Sequence, residues 1–391
     1  MPALLLPIIY LAFISLGLPD SLLGSVWPMM HADLGVTLSA GGVVSMVVAG
    51  CTIVSSLMTD RLVRRLGTGR LTVLSVGMTA LALVGFSSVG EFWQLVLWAV
   101  PYGLGAGAVD AALNSFVALH YEARHMNWLH CFWGIGASAG PVIMGMCMGA
   151  GVGWAGGYRV IACVQAALVI VLLVTLGLWR ASSGEGPGGK APRSIPRSQL
   201  LRRPGVVQVL VAFFCYSAIE ASCGLWGASF MVAGRGIAAG QAALLISLFY
   251  LGITAGRLVS GLLTLRLDGR ALLRLGYALI GSGALVMALA QGASALGAAF
   301  VLVGLGCAPI YPQIIQLTPT RFGEDVAPSL MGVQMACAYL GSTFFPPIAG
   351  LIIQNVSAGF LPCLVAALLA AMAFSMERCD RLASMSRSAD R

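Results

Sequence analysis

The sequence predicts an all-α membrane protein with twelve transmembrane helices in two pseudo-symmetric six-helix bundles. Three observations carry that expectation. Charged residues make up only 9% of the chain, and mean hydropathy is +0.92. Apolar stretches of about 20 residues recur from end to end, each long enough to cross a hydrocarbon core of about 30 Å as a helix. The period-two alternation of a barrel strand is missing from them. Finally, residues on either side of one polar segment repeat at nearly constant offset.

Helix 1 is expected at 4–30, running through Asp20, Trp27 and Pro28 without a basic start or small-residue cleavage site, so no removable signal is expected. Helices 2 and 3, at 39–59 and 71–89, flank a basic cluster. Helix 4, at 92–119, holds Gly103-Leu-Gly105, whose small residues suit close packing. Helices 5 and 6 follow at 129–150 and 158–179. Residues 181–203 are polar and rich in Pro, Gly and Ser, the composition of a flexible linker. Helices 7 to 12 are expected at 205–232, 238–264, 271–291, 293–317, 327–354 and 356–376. The expected organisation is therefore a first bundle at 1–180, a linker at 181–203, a second bundle at 204–377 and a tail at 378–391.

Arginines and the lone lysine concentrate in even-numbered connections, the linker and the tail. The positive-inside rule then places both termini in the cytoplasm of a cell (inner) membrane protein. A net charge of +8 suits loops facing anionic lipid, so the bilayer rather than nucleic acid is the expected partner. The ten cysteines include no CxxC pair and lie mostly in apolar helices, where they read as small fillers.

The repeat is specific. Ala12, Phe13, Asp20 and Gly24 match Ala212, Phe213, Glu220 and Gly224 at an offset of 200. Leu57, Thr59, Arg61 and Leu62 match Leu262, Thr264, Arg266 and Leu267 at 205, as do Gly136 and Pro141 with Gly341 and Pro346. Two parallel six-helix repeats around a central site describe alternating-access transporters.

Three acids, Asp20, Asp110 and Glu220, fall inside apolar helices. A carboxylate at bilayer depth costs at least roughly 2.5–3.5 kcal/mol, so it marks a polar task. Asp110 and Asn114 are i, i+4 and share a helix face, where burial disfavours the charged form and invites proton uptake. Asp20 is the second candidate for proton or substrate; Trp27, two turns on, is a candidate to stack on a sugar ring or to join the interfacial aromatic belt. Tyr216 and Glu220 form another i, i+4 pair, and Arg257 is the natural partner for Glu220 as gate, clamp or packing tie. Gln313, Gln316, Gln334 and Tyr339 offer groups for hydroxyl recognition or for interhelical bonds. His120, His125 and His130 are five apart, which is not helical metal-ligand spacing; the stretch 121–124 reads as a loop, with His120 and His125 solvated or facing headgroups.

Ser56 to Arg65, with Asp60-Arg61 and Arg64-Arg65, resembles the signature between helices two and three of the major facilitator superfamily, with Ser56 and Val63 replacing its glycines. That resemblance implies that Asp60, Arg61, Arg64 and Arg65 latch helix ends in the outward-facing state. Within the superfamily the chain is similar to the fucose/glucose/galactose–proton symporter group. The likeness rests on Asp20 with Pro28; on Gly103, Gly105, Asp110, Asn114, Asn127, His130 and Gly136; and on Tyr216, Glu220, Gly224 and Gly256-Arg257. It implies a proton role for Asp110 and places polar substrate ligands at Asn127, His130 and Trp133. Asp110, His130 and Trp133 stand where that group often has Glu, Gln and Asn.

The expected function is proton-coupled uptake of a neutral sugar or polyol by a monomer without cofactors, Na⁺ being the rival coupling ion. Proton-driven efflux of a small amphipathic compound is the alternative, and a non-transporting membrane sensor the remote one. No phosphate-cradling GxxxxGK[ST] and no nucleophile–base pair point to an enzyme.

Overall fold

A computed structural model describes residues 4–121, 123–180, 200–323 and 326–389. Most of the expected linker, at 181–199, and the last two residues of the tail lie outside the described residues, as do the side chains of Asp60 and Asn127. The described residues are helical, with no strand, and include twelve helices long and apolar enough to cross a membrane. Spans 1 to 6 are Leu5–Asp33, Ala40–Thr59, Thr68–Phe86, Phe92–Val117, Trp128–Gly149 and Gly153–Val174. Spans 7 to 12 are Val206–Arg235, Ala239–Leu263, Gly269–Leu289, Ala293–Gln316, Ser329–Asn355 and Ala358–Ala383.

Several elements depart from expectation. Span 1 is two helices, Leu5–Asp20 and Leu22–Asp33, broken at Ser21. Span 10 is likewise broken, after Cys307 and before Ile310, with Pro309 between. Span 6 begins five residues earlier than expected, just after the glycine turn at Gly151 and at Gly153, both with positive φ. The stretch from Asp60 to Arg65, beyond the expected end of helix 2, is helical, and the helix runs to Leu66 and stops at Gly67, whose φ of 77° only glycine adopts easily. Much of the expected tail is also helical: the last helix continues to Ala389. Ion pairs hold its first polar turn, where Arg274 forks onto Glu377 at 2.8 and 2.9 Å and Arg321 donates to Asp380 at 2.8 Å.

Contacts divide the chain into two compact units. The first is Met1–Gly188 with Gly224–Leu251, and the second is Gly189–Cys223 with Gly252–Arg391. The unit boundaries therefore fall within spans 7 and 8, rather than only at the polar linker.

In the first unit, spans 1 and 5 touch backbone to backbone. A Cβ at Gly136 would strike the carbonyl of Ile14, one at Gly140 that of Leu18, and one at Gly17 that of Trp133. Prolines on both spans free carbonyls that this packing satisfies. Pro19 has no N–H for the carbonyl of Ser15; Gln165 of span 6, itself buried, donates its amide there at 2.5 Å and accepts the Ser15 hydroxyl. Pro141 likewise releases the carbonyl of Ala137, and Ser21, at the break in span 1, donates to it at 2.8 Å. A broken helix is tolerable at membrane depth when neighbours take up its orphaned groups. In the second unit the same kind of contact recurs: a Cβ at Gly341 would strike the carbonyl of Phe214.

Candidate functional site

The break in span 1 leaves Asp20 as the last residue of a helix, mid-span yet exposed. The close approach of span 5 brings Trp133 to it, and the indole Nε1 donates to Asp20 Oδ2 at 2.9 Å. From span 4, the buried Tyr102 donates its hydroxyl to Asp20 Oδ1, also at 2.9 Å. Two of the roughly four acceptor positions of a carboxylate are thereby used, leaving others for solute hydroxyls. Two turns beyond Tyr102, Asp110 accepts from Asn114 Nδ2 at 2.9 Å; the same amide also donates to the Asp110 carbonyl at 3.0 Å. Asp110 is half-buried and feels the charge of Asp20. The first unit thus assembles two interacting carboxylates, one amide and two aromatic donors from three spans.

The second unit builds a different group. Tyr216, buried, donates to Glu220 one turn on. Arg257 and Glu220 both act electrostatically on Tyr216 and on the buried Cys307. Tyr311, from the broken span 10, packs on Phe213 and Tyr216 with ring centroids 5.1 and 6.3 Å apart, and donates to Met335 Sδ at 2.7 Å.

Other candidates are placed elsewhere or are already engaged. Trp27 is fully buried; it donates to the Leu38 carbonyl at 2.6 Å, and a Cβ at Gly41 would meet its ring. Trp133, rather than Trp27, is the indole on Asp20. Gln334, also fully buried, exchanges bonds with Thr318 at 3.0 and 3.2 Å, an interhelical tie. Gln313 is buried where a Cβ on Gly269 would meet its amide oxygen, whereas Gln316 and Tyr339 are exposed. His130 is half-buried and meets Phe13 edge-on at 6.1 Å. The stretch 121–124, expected as a loop, is short, because the helix that ends at His120 is followed by one that starts at Ala123. His120 bonds the Phe116 carbonyl and His125 the Tyr10 hydroxyl, each at 2.9 Å, and both are half-buried. Among the described residues no three His, Cys, Asp or Glu group as metal ligands. Arg61, Arg64 and Arg65 are exposed.

Sequence reasoning passed over Tyr102, Gln165 and Tyr311. Each left a trace: a phenol two turns ahead of Asp110, a single amide in the apolar span 6, and a tyrosine between two prolines. None of those traces names its partner.

Among solved structures, the nucleoside transporter NupG superposes with a TM-score of 0.75 at 12% identity, covering 97% of this chain and 98% of that one. A bacterial homologue of the human lysosomal transporter Spinster, inward-facing and occupied, gives 0.69 at 14% identity over 100% and 98%. Its inward-facing, unoccupied form gives 0.66 at 14% identity over 97% and 94%. At such identities the likeness concerns the fold. No curated protein sequence matches the chain. The family profile described as Major Facilitator Superfamily matches residues 9–233 and again 221–381. Twelve spans, a repeated half and that double match together show that the chain belongs to the Major Facilitator Superfamily of membrane transporters.

Proposed function

We propose that the chain is a proton-coupled secondary transporter that takes up a neutral, hydroxyl-bearing solute of the sugar or polyol class. The observation that supports this most is the Asp20 carboxylate, exposed mid-span between Tyr102 and Trp133, with Asp110 within electrostatic reach. Two carboxylates in one low-dielectric unit repel one another, so a proton is their natural neutraliser. The unused acceptor positions of Asp20 and the free carbonyl face of Asn114 suit solute hydroxyls, and the Trp133 indole offers an apolar plane. The coupling logic is that proton and solute both favour closure over a neutralised site. In the second unit, Tyr216, Glu220 and Arg257 serve as a polar clamp or gate. The NupG neighbour is a nucleoside transporter, and a nucleoside also carries a hydroxylated ring. The arginine distribution supports cytoplasmic termini.

The test is solute-driven pH change in proteoliposomes of purified protein, with panels of monosaccharides, polyols and nucleosides, and Asp110→Asn alongside. External alkalinisation by a sugar or polyol in wild type, abolished in Asp110→Asn, is expected. Proton movement with nucleosides alone would replace the solute class. Tracer exchange that follows Na⁺ instead would replace the coupling ion. Silence across all panels would bring forward efflux of an amphipathic compound.

A further inference from the structure

Span 4 contributes two groups to the site, the Tyr102 hydroxyl on Asp20 and the Asp110 carboxylate. The turn between them is gripped by span 2. A Cβ at Gly103 would strike the carbonyl of Val48, and one at Gly107 that of Thr52, so the two backbones meet directly. Across the same contact Thr52 donates its hydroxyl to the Gly103 carbonyl at 3.2 Å. One turn on, Ser56 donates to the Gly107 carbonyl at 3.1 Å. Donors and acceptors are each four residues apart, so a turn of one helix is matched to a turn of the other. On another side of span 4, a Cβ at Gly105 would meet the Ser75 carbonyl of span 3.

These two bonds repair no broken helix. Span 4 is helical from Phe92 to His120, so the carbonyls of Gly103 and Gly107 already accept the N–H groups of Gly107 and Ala111. The hydroxyls of span 2 take the second lone pair of each. Gln165 and Ser21 differ in this respect, since they answer carbonyls that prolines have freed. A bond that no orphaned group requires acts between the helices, where it sets height and rotation. A slip of one residue would move span 4 by about 1.5 Å and turn it by about 100°, breaking both bonds. Ser56 stands where the superfamily signature has glycine, which would bring no donor to the Gly107 carbonyl.

We infer that Thr52 and Ser56 are positioning residues, setting the height and rotation of span 4 at which Tyr102 meets Asp20 and Asp110 takes its place in the site. Tyr102 immediately precedes Gly103, and Asp110 lies three residues past Gly107, so both ride on the pinned turn. The inference rests on Asp20 and Asp110 forming the site proposed above, and needs neither the solute's identity nor the coupling ion's.

The experiment labels the full chain, in lipid nanodiscs at acidic pH, with a hydrophobic carbodiimide that modifies protonated carboxyls. Mass spectrometry of peptides reads the labelling rates at Asp20, Asp110 and Glu220. Thr52→Val, which keeps the side chain's size and removes its hydroxyl, is compared with Thr52→Ser, which keeps the hydroxyl. Ser56→Ala is run alongside. Thr52→Val and Ser56→Ala are each expected to speed labelling of Asp20 and Asp110 by about three- to tenfold, the scale of one lost hydrogen bond. Thr52→Ser is expected to match wild type, and Glu220, in the second unit, to keep its rate throughout. Equal rates in Thr52→Val and Thr52→Ser would overturn the inference. So would a wild-type rate at either Asp20 or Asp110 in Thr52→Val, or a matching rise at Glu220, which a general loosening would produce. The Thr52 pair carries the test alone should Ser56→Ala not fold. Since no transport is read, failure of the sugar–proton reading would show separately, in the proteoliposome assay.

Discussion

Spans 1 and 7 hold matching places in the two halves, and their burial runs in step over residues 11–20 and 211–220 until the last position. There Asp20 is exposed and Glu220 is half-buried. One residue earlier the two spans also differ in sequence: Pro19 in span 1 stands where span 7 has Ile219. Proline removes a helix hydrogen bond, and span 1 breaks directly after Asp20, while span 7 runs unbroken from Val206 to Arg235. The acid at the break finds its partners 82 and 113 residues away, in Tyr102 and Trp133. The acid in the continuous helix is satisfied four residues back, by Tyr216. One half therefore builds its polar group by packing and the other by helical spacing. A group that depends on packing is the one able to report a change in packing.

The sharpest way to break this comparison is to neutralise each acid in turn. Asp110→Asn is expected to abolish solute-driven proton movement in proteoliposomes while tracer exchange survives. Glu220→Gln is expected to keep proton movement and weaken solute affinity. Equal loss of proton movement in both variants would mean that the halves share the coupling role.

Ion pairs in the second unit should differ strongly. The Arg321 side chain is only 2% exposed, and Asp380 is its acidic partner. Asp380→Asn is expected to cost about 3–5 kcal/mol, the usual penalty for stranding a buried charge. Glu377→Gln, which frees the exposed Arg274, should cost far less, because solvent screens the pair. Denaturation in detergent would rank the two, and comparable losses would contradict the burial assigned to Arg321.

Packing symmetry predicts that Gly136→Ala and Gly341→Ala destabilise alike, by about 1–3 kcal/mol each, because both put a methyl group into a backbone contact. A large loss in only one would show that the two halves are not packed by the same rule. Gln165→Ala is expected to cost about 1–3 kcal/mol by stranding the Ser15 carbonyl. In a Pro19→Ala background that cost should fall, since alanine restores the helix hydrogen bond to that carbonyl. An undiminished cost would show that Gln165 does not serve the break.

Much of this molecule was legible before any coordinates. Twelve apolar runs set the number of spans, because the bilayer demands internally satisfied helices of fixed length. The bonds between Asp110 and Asn114 and between Tyr216 and Glu220 follow from i, i+4 spacing alone. Trp27 shows the limit of that logic: it lies near the right face of span 1, but the chain turns back at Leu38 and claims its indole N–H. Gln334 has a side chain that suits either of two uses, and only the packed chain sets Thr318 beside it.

The sequence alone determined the membrane class, the repeat and the depth of the three acids, all properties carried by single segments and their solvent. Tertiary structure decided which donors reach Asp20, how the carbonyls freed by Pro19 and Pro141 are satisfied, and that residues 224–251 join the first unit. Those outcomes depend on which helices touch and at what height. Contacts between residues a hundred positions apart leave no periodic trace in either partner, so only the packed chain could show them.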